Sequence, residues 1–273
     1  MKSIVALSIT TLGLSLLALP SPLARPLAAQ DLTDVAEIVR RANLASYYAG
    51  ADGRARVRMT ITDARGRKRI RQFVILRRDR SDGGDQDYAV LFSRPADVRN
   101  TVFLVQKHVN KDDDRWLYLP ALDLVRRIAA GDRRTSFVGS HLLYEDISGR
   151  TPDADEHELV ETTDTFYVVK NTPLDPGSVE FASWTVWIDK TTFLAWKMEY
   201  VDDTGEVYRR IEALEVAEVD GYPTVTRMQA SDLRSGGHTI AEFSNVQYDL
   251  GIPESVFTER TLRNPSRRWF SVN

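Results

Sequence analysis

Arg54-Ala55-Arg56-Val57-Arg58-Met59-Thr60-Ile61 decides the class of fold. Successive side chains of an extended strand point to opposite faces, so Ala55, Val57, Met59 and Ile61 share one face and Arg54, Arg56, Arg58 and Thr60 the other. One face wants burial and the other wants water, which is the pattern of a half-buried β-strand. Residues 63–66 supply turn chemistry, and residues 68–78 read as a second strand returning antiparallel to the first.

Upstream, the period changes. Over 31–47, Leu32, Val35, Ile38, Val39 and Ala42 recur at helical spacing, with Asp34 and Glu37 placed as a capping pair. Earlier still, Lys2 precedes an apolar run from Ile4 to Leu19, followed by Pro20, Pro22 and Pro26. The run is shorter than the roughly 20 residues that cross a bilayer, and prolines do not continue a helix, so 1–30 reads as a secretory signal peptide cleaved near Ala28-Ala29-Gln30. Removal of Lys2 and Arg25 leaves 34 basic against 39 acidic side chains, a formal charge of −5 on 31–273. That balance does not favour a nucleic-acid ligand. The chain has no cysteine, hence no disulfide framework and no lipidated cysteine.

Downstream the strand grammar repeats, with strands expected near 86–93, 101–107, 114–119, 124–129, 156–170, 182–189, 193–201, 206–218, 223–233 and 238–249. Turn residues such as Asp202-Asp203-Thr204-Gly205, Asp220-Gly221 and Ser235-Gly236-Gly237 separate them. Such a meander buries one face by curling into a barrel, a half-barrel or a sandwich. Residues 131–150 interrupt it. Phe137, Leu142, Leu143 and Tyr144 want cover there, and the stretch reads as a loop with a short helix lying over the sheet. A second short helical piece is expected at 253–257, followed by a short basic tail rather than a second domain.

Candidate chemistry is sparse. Ser140, His141 and Asp146 have the residue types of a hydrolytic triad, but no strained glycine-serine-glycine elbow surrounds Ser140, and no catalytic residue is assigned. His108, His141, His157 and His238 are scattered. Asp112-Asp113-Asp114 and Asp153-Ala154-Asp155-Glu156 lack the ligand order of a calcium loop, so neither a metal nor another cofactor is expected. The 54–80 stretch carries eleven Lys or Arg against two Asp, a net of +9 that leaves the rest of 31–273 at −14. If the hairpin register aligned Arg54, Arg56 and Arg58 with Arg67, Arg69 and Arg71, one strongly basic face would result, suited to an acidic partner or anionic headgroups. Trp184, Val186 and Ile188 share a face, as do Leu194, Trp196, Met198 and Tyr200; with Met59 and Leu119 they form a core or the wall of an apolar cavity, which periodicity cannot separate.

The helix, the hairpins, Trp116-Leu117-Tyr118-Leu119-Pro120, the segment from Ser136-Phe137-Val138-Gly139-Ser140 to Tyr144-Glu145-Asp146, and Trp187-Ile188-Asp189-Lys190 together resemble the outer membrane lipoprotein-sorting protein family, in its LolA-like branch. The resemblance implies a mainly β fold, an antiparallel incomplete barrel of about eleven strands over 31–273, with an N-terminal helix and short lid helices above a concave face. It also implies a periplasmic carrier, soluble after cleavage, that takes up lipid or lipoprotein acyl chains without covalent chemistry. Its partners would be an inner-membrane transporter or an outer-membrane acceptor. The second reading is a ligand-sensing interaction module of the same fold, like the envelope regulator RseB. Met59, Leu119, Phe137, Leu142, Leu143, Tyr144, Trp184, Val186, Trp196 and Met198 are the candidate cavity and lid residues, and 31–47 and 136–146 the segments that would open.

Overall fold

The alternating segment 54–61 lies in the middle of the sheet. In the computed structural model, which describes residues 31–271, β1 (Asp52–Thr62) pairs on one side with β2 (Lys68–Asp79) and on the other with the last strand, β13 (Gly237–Tyr248). The expected signal segment lies outside the described residues. Val57, Met59 and Ile61 are fully buried, whereas Arg56 and Arg58 are exposed, as the alternation requires.

From β1 the sheet grows outward in two meanders. One side adds β3 (Gln86–Arg94), β4 (Val102–Lys107), β5 (Asp114–Leu119) and β6 (Leu124–Ile128). Beyond β13 come β12 (Tyr222–Asp232), β11 (Val207–Val219), β10 (Ala195–Val201), β9 (Ser183–Asp189), β8 (Phe166–Pro173) and β7 (Asp155–Thr162). Among the described residues all thirteen strands are antiparallel and β6 and β7 are unpaired edges, so the sheet is an open half-barrel rather than a closed one. There are more strands than the resemblance implied. The expected single strand at 156–170 is two, because Thr163 turns the chain: its backbone N–H donates to Phe166 O, and its hydroxyl accepts from the N–H groups of Thr165 and Phe166.

The strand order explains the interruption at 131–150. Consecutive strands β6 and β7 lie at opposite edges, so residues 129–154 must cross the whole sheet. Twelve flat inter-strand gaps would span about 58 Å, and a connection containing turns and a helix needs the sheet to curl to bring its edges nearer. The crossing runs over the concave face. Phe137 is fully buried against Phe73, Phe92, Phe103 and Tyr144, with ring centroids 5.5–6.1 Å apart, and α2 (Tyr144–Ser148) lies beside it.

α1 (Val35–Tyr47) begins at Asp34, whose carboxylate accepts from Ala36 N and Glu37 N. Glu37 does not complete the capping box; it pairs with Arg40 and Arg41. Ile38 and Ala42 pack on Tyr167, Val169, Val186 and Ile188 of β8 and β9. At its other end Arg77 donates to the carbonyls of Tyr47, Ala49 and Gly50, satisfying acceptors that a helix C-terminus leaves open.

The tail after β13 has a role that its basic composition hides. Ile252, Val256, Phe257, Leu262 and Phe270 pack on Val74, Leu76, Val102, Leu104 and Trp116, covering the opposite face of β2–β5. Its 3-10 turn at Glu254–Val256 falls where a short helix is expected, and a four-residue helix, α3 (Arg267–Phe270), ends the described chain.

Candidate functional site

Between α1, α2 and the concave sheet lies a cavity of about 370 Å³. Its floor comes from β9 to β13: Trp184, Met198, Ile211, Met228, Phe243 and Val246. Ala42 and Tyr47 of α1 and Ile147 of α2 form its roof, and Ala55, Ile75 and Tyr88 its far wall. The residues are mostly apolar, flexible or aromatic, which suits a pliable apolar guest.

A charged frame surrounds the α2 side. Glu145 is buried among three guanidinium groups, with Arg134 at 2.7 Å, Arg133 at 3.4 Å and Arg150 at 3.5 Å. Arg134 also reaches Glu180 at 2.6 Å, and Arg150 reaches Asp155 at 2.7 Å. Burial by itself would lower the Arg134 pKa, but Glu180 and Glu145 outweigh it and hold the group charged. Asp146 takes Leu143 N at 2.6 Å and pairs with buried Arg209 of β11, which ties α2 to the sheet floor. Trp184 donates its indole N–H to Asp155 at 3.2 Å and stacks on Tyr200 at 5.8 Å, so the wall is oriented by the same frame.

Lys107 sits behind α2, 1% exposed, donating to Ser148 O at 2.7 Å and lying 5.3 Å from the Tyr47 ring centroid. Burial pushes its amine down to about 8.

Of the ten candidate cavity and lid residues, Trp184, Val186 and Met198 line the cavity. Met59, Phe137, Leu142 and Tyr144 lie in the packed core beneath the crossing segment. Leu119 is half-buried at the end of β5, and Leu143 caps α2. Trp196 is displaced by a register irregularity between Ala195 and Lys197, so Ala195 lines the cavity beside Leu194, Met198 and Tyr200. Ile211, Met228 and Phe243 also line the cavity, although the sequence pattern does not single them out. The alternation of Ile211 and Ala213 in one strand was the available signal, but nothing in it distinguishes a wall from a core.

The basic face does not form as expected. Met59 pairs with Arg71 and Ile61 with Arg69, whereas Arg54, Arg56 and Arg58 pair with Leu76, Val74 and Gln72. Directly opposed residues share a face, so the two arginine sets point to opposite sides of the sheet. Arg54 binds Gln247 and the Trp269 and Ser271 carbonyls, Arg67 binds Asp63, Arg69 binds Gly139 O, and Arg71 lies 3.4 Å from Asp97.

Ser140, His141 and Asp146 do not converge either. Ser140 Oγ accepts from Leu142 N and donates to Leu142 O, His141 Nδ1 faces Thr239 Oγ1 at 2.9 Å, and Asp146 is engaged by Arg209. Asp113 and Asp114 are held by Arg115, Arg127 and His108, and Asp155 by Arg150. Among the described residues, no group of three or more His, Cys, Asp or Glu is placed to hold a metal ion.

Among the described residues the sheet is thus an open thirteen-stranded antiparallel half-barrel with an apolar concave cavity, roofed by an N-terminal helix and a crossing segment, a fold of the LolA-like half-barrel kind. Residues 84–264 match the model of a family described as an uncharacterized protein, and the chain belongs to that family. It is similar to a DUF1329 family protein from Desulfovibrio piger, at 29% identity and a TM-score of 0.76, covering 83% of this chain and 96% of that one. A domain from Vibrio parahaemolyticus provisionally named as outer membrane lipoprotein-sorting matches at 25% identity and a TM-score of 0.75, over 84% of this chain and 97% of the other. A LolA superfamily protein from Nitrosomonas europaea shares the fold at 18% identity and a TM-score of 0.64, over 83% and 98%. No curated protein sequence matches the chain. Among the described residues no helix is long and apolar enough to cross a membrane.

Proposed function

We propose that the protein is an exported carrier that binds the acyl chains of a lipid or lipoprotein in the concave cavity, without covalent chemistry. The observation that carries this reading is the cavity of about 370 Å³ itself, lined by Met198, Met228, Ile211 and Phe243 and roofed by two segments that are not strands of the sheet. That volume is within the ~300–1,000 Å³ common for small-molecule sites. Each methylene moved from water into such a wall contributes about 0.8 kcal/mol, so burial of part of an acyl chain supplies useful affinity with no polar anchor. The relative named for outer membrane lipoprotein sorting, with a similar fold at 25% identity, supports the same class of cargo.

In this reading residues 1–30 are a signal peptide, and 31–273 act as one half-barrel domain in the periplasm. α1 and the crossing segment are the elements that open. The crossing segment is held by the Asp146–Arg209 pair and the arginines around Glu145, so entry of a chain requires that frame to loosen or to swing as a unit. An inner-membrane transporter or an outer-membrane acceptor would supply or receive the chain.

The test is native mass spectrometry of protein purified from its own envelope, followed by organic extraction. A co-purifying phospholipid or acylated peptide is the expected result. Protein that carries none, and takes up no fluorescent fatty acid, refutes the carrier reading and favours an interaction module of the same fold.

A further inference from the structure

Antiparallel pairing brings three turns of the β1–β6 half to one end of the sheet: 63–67 between β1 and β2, 95–101 between β3 and β4, and 120–123 between β5 and β6. They stand two strands apart, about 10 Å, in a row. Their chemistry is concerted. Across 63–71, 94–101 and 119–124 there are seven Lys or Arg against Asp63, Asp97 and Asp123. Each of those three carboxylates is already matched, by Arg67 at 2.8 Å, Arg71 at 3.4 Å and Arg263 of the tail at 2.9 Å. Arg65, Lys68, Arg94 and Arg99 are exposed and enter no ion pair among the described residues.

The outermost turn adds apolar surface. Leu122 is 71% exposed at its tip and Leu124 is 45% exposed beside it, following Pro120 and Ala121. No other side chain among the described residues covers Leu122 as the tail covers Trp116 on the same strand pair. At the same end of the sheet, the turns of the other half have the opposite sign. Asp175, Glu180, Asp202, Asp203, Glu206 and Asp232 lie there with one cation of the turns themselves, Arg234, paired with Asp202, while Arg134 of the crossing segment pairs with Glu180. Charge is therefore segregated along this end, with the exposed leucine tip in the basic half.

We propose that this basic, leucine-tipped end is a docking surface for an anionic phospholipid bilayer. Unpaired cations gain from the negative potential of the headgroups, the leucine tip enters the interfacial layer, and the acidic half is repelled, so the half-barrel approaches the membrane in one orientation. The occupant fits on charge complementarity plus apolar insertion. A purely acidic protein partner would leave Leu122 and Leu124 without a role. The proposal rests on the turns and does not depend on what the cavity holds.

The test uses the purified chain and its variants, so that any contribution of residues 1–30 is common to all. Co-sedimentation is measured with phosphatidylcholine vesicles alone and with phosphatidylglycerol added, at low and high salt. Binding is expected only to the anionic vesicles and is expected to fall with salt. A cation near such a surface contributes about fivefold to binding, so R65E, K68E, R94E and R99E together should weaken it on the order of a hundredfold or more. Leu122→Asp should weaken it about tenfold, and Leu174→Asp, a 67%-exposed leucine in the acidic half, should leave it unchanged. The four charge reversals are also made singly, so a misfolded quadruple variant does not remove the test. Equal binding to both vesicle types, no binding to either, or undiminished binding of the reversals overturns the proposal. Capture of polyglutamate in place of anionic vesicles also overturns it, and assigns the surface to an acidic protein.

Discussion

Placing a ring inside the cavity separates a ligand site from a loosely filled core. Ala213 of β11 lines the cavity and stands opposite Met228 in the strand register. Ala213→Phe adds a ring of six carbons to a space of about 370 Å³. If an acyl chain uses that space, the ring displaces about six methylenes, an upper limit near 5 kcal/mol at ~0.8 kcal/mol each. A chain can slide toward the open side and recover part of this, so the expected loss is about 3 kcal/mol, roughly a hundredfold in Kd. Stability should hold or rise, because the ring fills empty apolar space. In a packed core the same substitution would cost about 1–3 kcal/mol through overpacking. The assay is displacement of a fluorescent fatty acid by a series of chain lengths, with urea unfolding run in parallel. The penalty should be largest for the longest chains. Unchanged affinities, or a drop in stability with no change in affinity, would refute the cavity argument.

Lys107 should make stability depend on pH. Its amine lies near 8 in the folded protein against 10.5 when solvated, so between those values the unfolded chain holds the proton and the folded chain does not. Stability then rises with pH across that window, by up to about 3 kcal/mol, before the buried Tyr47 and Tyr88 hydroxyls, whose pKa burial raises, oppose it at higher pH. Urea midpoints between about pH 7.5 and 9.5 should show the rise, and Lys107→Met should flatten it. Phe137→Ala removes a fully buried ring that touches four aromatic neighbours and should cost about 3–5 kcal/mol in the same assay. Asp146→Asn leaves Arg209 buried with its charge unmatched, at a cost of about 3–5 kcal/mol, and amide exchange should speed up in α2 before it does in β1.

Strands and helix were legible wherever one face is buried and the other wet. β1 reads cleanly because arginines alternate with Val57, Met59 and Ile61, and α1 reads cleanly because its apolar stripe is flanked by Asp34. The turn at Thr163 was hidden because its carbonyl–amide and hydroxyl bonds do the work that glycine or proline usually signals. The fate of Trp196 depended on one irregular register step, which no alternation pattern predicts.

The sequence by itself determined the local periods, the connection lengths and the residue types available to each face, since these follow from backbone geometry and side-chain solubility. Only the tertiary structure decided which faces meet. Strand order sends 129–154 across the concave side, which puts Phe137 and Leu142 into core while Met198 and Met228 remain at a cavity. Register decides that Arg71 lies across from Met59 and not beside Arg58, because a shift of one residue exchanges the two faces of a strand. Antiparallel return gathers turns from distant parts of the chain at one end, so Arg65, Arg94 and Leu122 become neighbours through the sheet rather than through the sequence.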